Sequence, residues 1–183
     1  MENEKDIKRL EVTLAVFLAF IALINRLIEG VWLPSISAYV DSKVVVGLLG
    51  FELGIAGTLF IYNGIGYKRH WYNVILGLSL WGVAIFHYET YSKIHNACAG
   101  TFFLGSIIAI GLSSDILFRG YKYLIAGIAF LAILLNIVWV LLFHKMLYSI
   151  LIMETIGIIP FTNFFIVKNY THKIKYIIKL IRK

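Results

Sequence analysis

The sequence predicts an all-α fold of the membrane class: a six-helix transmembrane bundle with both termini cytoplasmic. Three observations carry that expectation. Of the 183 residues 60% are hydrophobic and only 15% charged, whereas soluble domains run to about a quarter charged. Mean hydropathy is +0.84. Apolar runs of about 20 residues, the length that crosses a bilayer as helix, recur along the chain with only short connections between them.

In order, residues 1 to 9 are polar and precede a first span over about 10–28. MENEKDIKRLE is mixed in charge and the run behind it is long enough to stay as a span, so no cleavable signal is expected. Residues 28 to 43, IEGVWLPSISAYVDSK, read as an ordered interfacial loop with Trp32 and Tyr39 at headgroup level. The second span covers about 44–65, where Gly47, Gly50, Gly54 and Gly57 allow close helix approach. The remaining spans cover about 71–88, 95–113, 121–143 and 146–167. A basic tail, 168–183, spaces Ile174, Ile177, Ile178 and Ile181 helically among lysines and arginines. That pattern suits either anionic inner-leaflet lipids or a plain topology signal.

The net charge of +7 excludes little until it is placed. Counting Lys and Arg in alternate connections puts thirteen on the side of the termini and four (Arg26, Lys43, Lys93, Lys145) on the other. The positive-inside rule then makes the termini cytoplasmic, and lipid headgroups rather than nucleic acid are the partners of the basic residues. The lone Cys98 has no intrachain disulfide partner and reads as a small packing residue.

With that topology the polar groups gather on the outer side. His87 and Glu89 close the third span, and His95 and Asn96 open the fourth across a short polar link, Tyr88 to Ile94. Asn25, Arg26 and Glu29 close the first span there, and His144 and Lys145 separate the fifth from the sixth. Glu52 and Glu154 lie deeper, about 12–14 Å below the outer boundary by helical rise. A carboxylate at such depth costs about 2.5–3.5 kcal/mol, so each is expected to face the bundle interior, where both would floor one outward-facing polar cavity. The inner half carries no ionisable residue beyond the loop edges, and Asn63, Asn136 and Asn163 read as interhelical hydrogen bonds.

Three functions fit these residues. Lipid binding, with Arg26, Glu52, His87, His95, Asn96 and Glu154 around a headgroup, asks only for polar groups beneath the interface. An intramembrane hydrolase or acyl transferase would take its acid–base group from His95, Glu154 or His87. No GxSxG elbow or reactive Cys supplies a nucleophile, and Ser35, Ser37 and Ser92 read as loop and cap hydroxyls. A scaffold assembling through the glycine-rich second span is the third. His and Glu are acceptable metal ligands, but HExxH and Cys/His spacings are missing, so no metal or cofactor is expected. Oligomeric state is not encoded in any of these patterns.

LPSISAYVDSKVVVGLLGFELGIAGTLFIY, NVILGLSLWGVAIFHYETYSKIHNACAGTFF and METIGIIPFTNFF together resemble the Frag/DRAM/Sfk family. That family includes damage-regulated autophagy modulators and factors that remodel the lipid of GPI anchors. The resemblance implies six helices, cytoplasmic ends and a role in lipid handling. It carries over Pro34 and Ser37 in the loop, His95 and Asn96 opening the fourth span, and Glu154 in the last. AYVDSK stands where that family places a Thr-Gly pair and Pro-Glu. Short loops and abundant Ile, Lys and Asn look prokaryotic, which would place the chain in a plasma or inner membrane without GPI anchors.

Overall fold

The computed structural model describes residues 2–44, 47–66, 71–112, 119–143 and 150–181. Six α-helices follow in order: α1 Glu2–Glu29, α2 Leu48–Gly66, α3 Tyr72–Ile85, α4 Tyr88–Leu112, α5 Arg119–Phe143 and α6 Ile150–Ile181. A 3-10 turn, Ser37–Asp41, lies between α1 and α2, and no strand occurs among the described residues. Four stretches are long and apolar enough to cross a membrane: Arg9–Glu29, Leu48–Gly66, Tyr88–Leu112 and Gly120–Phe143. The protein is therefore a helical membrane protein. At 14 residues α3 is apolar but shorter, about 21 Å by helical rise.

The boundaries differ from the sequence reading where local chemistry intervenes. Gly30, at φ 86°, ends α1 in the left-handed conformation, and its N–H closes on the Arg26 carbonyl at 3.0 Å. Gly47, at φ 72°, delays α2 to Leu48 instead of about 44. Glu52 consequently sits four residues, about 6 Å, into its helix, shallower than the span count implied. The expected polar link Tyr88 to Ile94 is helix, the first turns of α4, with a kink at Tyr91 (φ −128°, ψ 45°). The tail continues α6 as helix to Ile181. The apolar face of the tail, His144, Lys145, Lys68 and Arg69 lie outside the described side chains.

α1 packs against α2 and α6, α3 sits between α2 and α4, and α4 also touches α6. These five enclose a core in which Phe60 of α2 meets Phe102 of α4 and Phe165 of α6, ring centroids 6.0 and 6.2 Å apart. α5 packs mainly on α4 and α6 among the described residues, and most of its Leu and Ile side chains face outward, as a lipid-facing helix requires. Buried Lys122 anchors its start by donating to the Gly111 carbonyl, one of the last of α4, at 2.7 Å.

The α2–α3 seam is the closest contact. A Cβ on Gly77 would run into the Gly57 carbonyl and Ile61, and one on Gly57 into Trp81 and the Gly77 carbonyl. The Trp81 indole N–H donates to the Gly54 carbonyl at 3.0 Å across the same seam. Of the glycines expected to allow close approach, Gly57 does so, whereas a Cβ at Gly47, Gly50 or Gly54 would meet nothing within 4 Å. Gly77→Ala should therefore cost roughly 1–3 kcal/mol through overpacking against backbone. Gly50→Ala should change little. Reversible unfolding in detergent micelles, followed by circular dichroism, separates the two, and equal stability would contradict the seam.

Candidate functional site

The loop between α1 and α2 is the element that shapes one end of the bundle. Tyr39 is fully buried, not at headgroup level as its sequence setting implied; its hydroxyl donates to the Val31 carbonyl at 3.0 Å and accepts from the Leu33 N–H at 3.2 Å. Trp32 remains exposed, as expected of an interfacial ring. The Ser35 hydroxyl accepts from the Ala38 N–H at 3.0 Å and caps the 3-10 turn, and Ser42 donates to the Glu29 carboxylate. The chain thus folds back over the bundle.

Glu154 of α6 holds it there. Its carboxylate accepts from the Ile36 backbone N–H and from the Ser37 hydroxyl, the latter at 3.3 Å. Alongside, the Leu151 N–H donates to the Pro34 carbonyl at 2.9 Å. The first-turn N–H groups of a helix have no partner within it, so the loop supplies one while the helix side chain satisfies the loop. Both Glu154 and Ile36 are buried.

Beneath this roof lies a cavity of about 40 Å³ for the centres of water-sized spheres, room for about three waters. Its walls come from five helices and the loop. Leu18, Leu53, Leu80, Phe102 and Ile158 make it largely apolar, with Ser37 and Glu154 at its polar end. The two-glutamate floor expected from the sequence is not what lines it, since Glu52 is turned to a partner instead. The Glu52 carboxylate accepts from the Asn25 amide N–H at 2.5 Å, and the same amide donates to the Ile21 carbonyl at 2.9 Å.

His95 is 2% exposed and belongs to the same end of the bundle. Its Nδ1 lies 2.8 Å from the carbonyl of Phe86, just past the end of α3, where no helical partner is available. Because a carbonyl only accepts, Nδ1 is the donor of this bond. Nε2, the Asn25 Oδ1 and the Arg26 Nε are buried with no hydrogen-bond partner among the described residues. The Arg26 guanidinium carbon lies 5.6 Å from the centroid of the Trp32 ring.

The remaining sequence candidates fall elsewhere. Asn96, one residue on from His95 and so about 100° around the helix, is exposed, as are His87 and Glu89. Among the described residues no hydrogen bond joins His95 to Glu154: the first meets the Phe86 carbonyl, the second Ile36 and Ser37. Among the described residues, no three His, Cys, Asp or Glu side chains gather into a metal-binding group.

A second polar layer lies at the opposite end of the bundle, at the edges of the expected spans. Glu11, 2% exposed, accepts from Lys168 at 2.9 Å, from Asn169 at 2.8 Å and from Asn63 at 3.3 Å. The Asn73 amide in turn donates to the Asn63 oxygen at 2.6 Å, tying α1, α2, α3 and α6 together. Asn63 is thus interhelical, as read, whereas Asn163 is exposed. Each of these five residues stands near a span end, and their matched depth was the available signal.

Removing the carboxylate should loosen the roof. Glu154→Leu leaves the buried Ile36 N–H unpaired and should cost about 1–3 kcal/mol. Glu154→Gln keeps an accepting oxygen and should cost less. Thermal unfolding together with protease cleavage at residues 30–44 checks this; equal behaviour of both variants and the wild type would contradict the clamp.

A family model matches residues 20–169, nearly the whole of the bundle. Comparison with curated proteins and with solved structures returns no match. On the strength of the family match, the chain belongs to DUF7103, a family of unknown function.

Proposed function

We propose that this protein binds the headgroup of a membrane lipid in the buried polar layer under the loop, with six spans and both termini cytoplasmic. The observation that carries the reading is a set of buried polar atoms without a partner among the described residues, the Asn25 Oδ1, the His95 Nε2 and the Arg26 Nε, with Asn25 and His95 each one helical turn from a residue that lines the cavity, Ile21 and Ala99. Buried polar atoms are nearly always hydrogen-bonded in folded proteins, and each unmade bond costs about 1–3 kcal/mol. Three such atoms at one end of a membrane bundle call for a polar guest. The guest available at that depth is a lipid head, with its tails against the apolar cavity wall and the outward-facing leucines.

The excess of Lys and Arg on the side of the termini supports the orientation, since it leaves the loop and its cavity on the less basic, outer face. The basic continuation of α6 would then lie against anionic inner-leaflet lipids. A distant kinship to the Frag/DRAM/Sfk proteins is part of the same proposal. Three of the positions that carry that resemblance, Pro34, Ser37 and Glu154, are the ones that join loop to α6. Catalysis is not part of the reading, because His95 and Glu154 are each engaged separately.

Native mass spectrometry of protein released from detergent tests the proposal. Wild type should retain lipid, and Arg26→Ala with His95→Ala should retain at least several-fold less, as expected for loss of two hydrogen bonds of about 1 kcal/mol each. Retention equal to wild type would contradict it.

A further inference from the structure

The outward side of α3 is short. Trp71, Ile75, Leu78, Trp81 and Ile85 recur at helical spacing and are all exposed. Polar and charged residues bound this face in the sequence, Lys68, Arg69 and His70 before it and His87 and Glu89 after it. Trp71 to Phe86 lies between, sixteen residues or at most about 24 Å by helical rise. A hydrocarbon core about 30 Å thick asks for about 20 residues. On α5 the apolar stretch Gly120–Phe143 has 24 residues, about 36 Å.

α3 has no way to make up the difference. It runs antiparallel between α2 and α4, both long enough to cross a membrane. Gly54, Gly57 and Asn63 of α2 meet its Trp81, Gly77 and Asn73 in turn. On the other side Gly82 lies against Cys98 of α4, and the Phe86 carbonyl against His95. Sliding α3 along its axis would break these contacts, and at Gly57, Gly77 and Gly82 there is no room even for a Cβ. Tilting lets a long helix such as α5 fit a thinner core, but it shortens the reach of one already too short.

The buried polar residues give a similar measure independently. Glu11 and Asn25 of α1 stand fourteen positions apart, about 21 Å, and Glu52 and Asn63 of α2 eleven, about 17 Å. Between them the buried side chains of both helices are apolar, among them Leu14, Leu18, Leu53 and Phe60. Polar groups deep in a bilayer are costly, so such layers belong near its edges. The α1–α2–α3 side of the bundle is thus built to a smaller thickness than α5.

We infer that the bilayer thins along α3, and that this face gathers phospholipids with shorter acyl chains than those along α5. A short span is accommodated by thinning, by snorkelling of long side chains at its ends, or by association. His87 and Glu89 are too short to snorkel far, so thinning carries the mismatch at that end. The inference rests on the six-span part of the proposed function, because α3 must cross the membrane, and not on the cavity.

Two variants of the full chain report the two faces. One keeps Trp81 of α3 as its only tryptophan and the other keeps Trp139, exposed on α5, with the other three changed to phenylalanine. Each is reconstituted in eighteen-carbon phosphatidylcholine with brominated chains, which quench an indole they touch. Unbrominated phosphatidylcholine of fourteen, eighteen or twenty-two carbons then competes, and recovered fluorescence reads the exchange. At Trp81 the fourteen-carbon lipid should compete at least about twofold better than the eighteen-carbon lipid, and at Trp139 it should not. Equal competition at Trp81, or a preference there for longer chains, overturns the thinning and leaves six spans standing. Loss of quenching at Trp81 alone means that another surface covers α3, such as a second copy, and overturns both. Should the variants fail to fold, the unmodified chain decides: its thermal unfolding temperature should peak in bilayers of fourteen or sixteen carbons, and a peak at eighteen or more overturns the inference.

Discussion

The loop-covered end of this protein depends on one carboxylate. Glu154 accepts from the Ile36 N–H and the Ser37 hydroxyl, and through them it folds the α1–α2 loop over the bundle. Without that anchor, Ile36 would not roof the cavity and Tyr39 would not be driven fully inside. The bond also resolves a cost on each side. A carboxylate in a membrane span must find donors, and a loop buried among helices must find acceptors for its backbone. Each answers the other.

The same constraint organises both ends of the bundle, with different outcomes. At the Glu11 end the carboxylate is matched by Lys168 and two asparagines, a buried pair with its hydrogen bonds made. Such a layer acts as a clamp joining α1 to α6. At the Glu154 end the Asn25 Oδ1, the His95 Nε2 and the Arg26 Nε are buried without a partner among the described residues, and at the Glu11 end the Asn73 Oδ1 is too. The Glu11 layer pairs its charges within the chain. The Glu154 layer, which adjoins the cavity, is the one to which lipid binding is proposed.

Sequence alone was enough for the helical class, since apolar runs of bilayer length need no tertiary information. It also singled out Arg26, Glu52, His87, His95, Asn96 and Glu154, because ionisable or amide groups inside such runs are few, and it noted Asn25 only as closing the first span. What it could not supply was pairing. Glu52 and Glu154 sit at similar depth and read as companions, yet one turns to Asn25 and the other to the loop, a choice made by helix rotation. Tyr39 and Trp32 are both aromatic residues in a polar loop, and only the fold-back separates the buried ring from the exposed one. The left-handed turn at Gly47 moved Glu52 outward by about a turn. Glu11 escaped notice because its partner Lys168 lies 157 positions away.

Hydrogen–deuterium exchange at the Ile36 amide, with the protein in nanodiscs, addresses the central claim most directly, because that N–H is the donor on which the roof depends. A clamped loop predicts protection of Ile36 comparable with the core amides of α2 and well above that of exposed Lys43 and Val44 nearby. Exchange of Ile36 as fast as Lys43 would mean that Glu154 does not hold the loop, and the roofed cavity would have no basis.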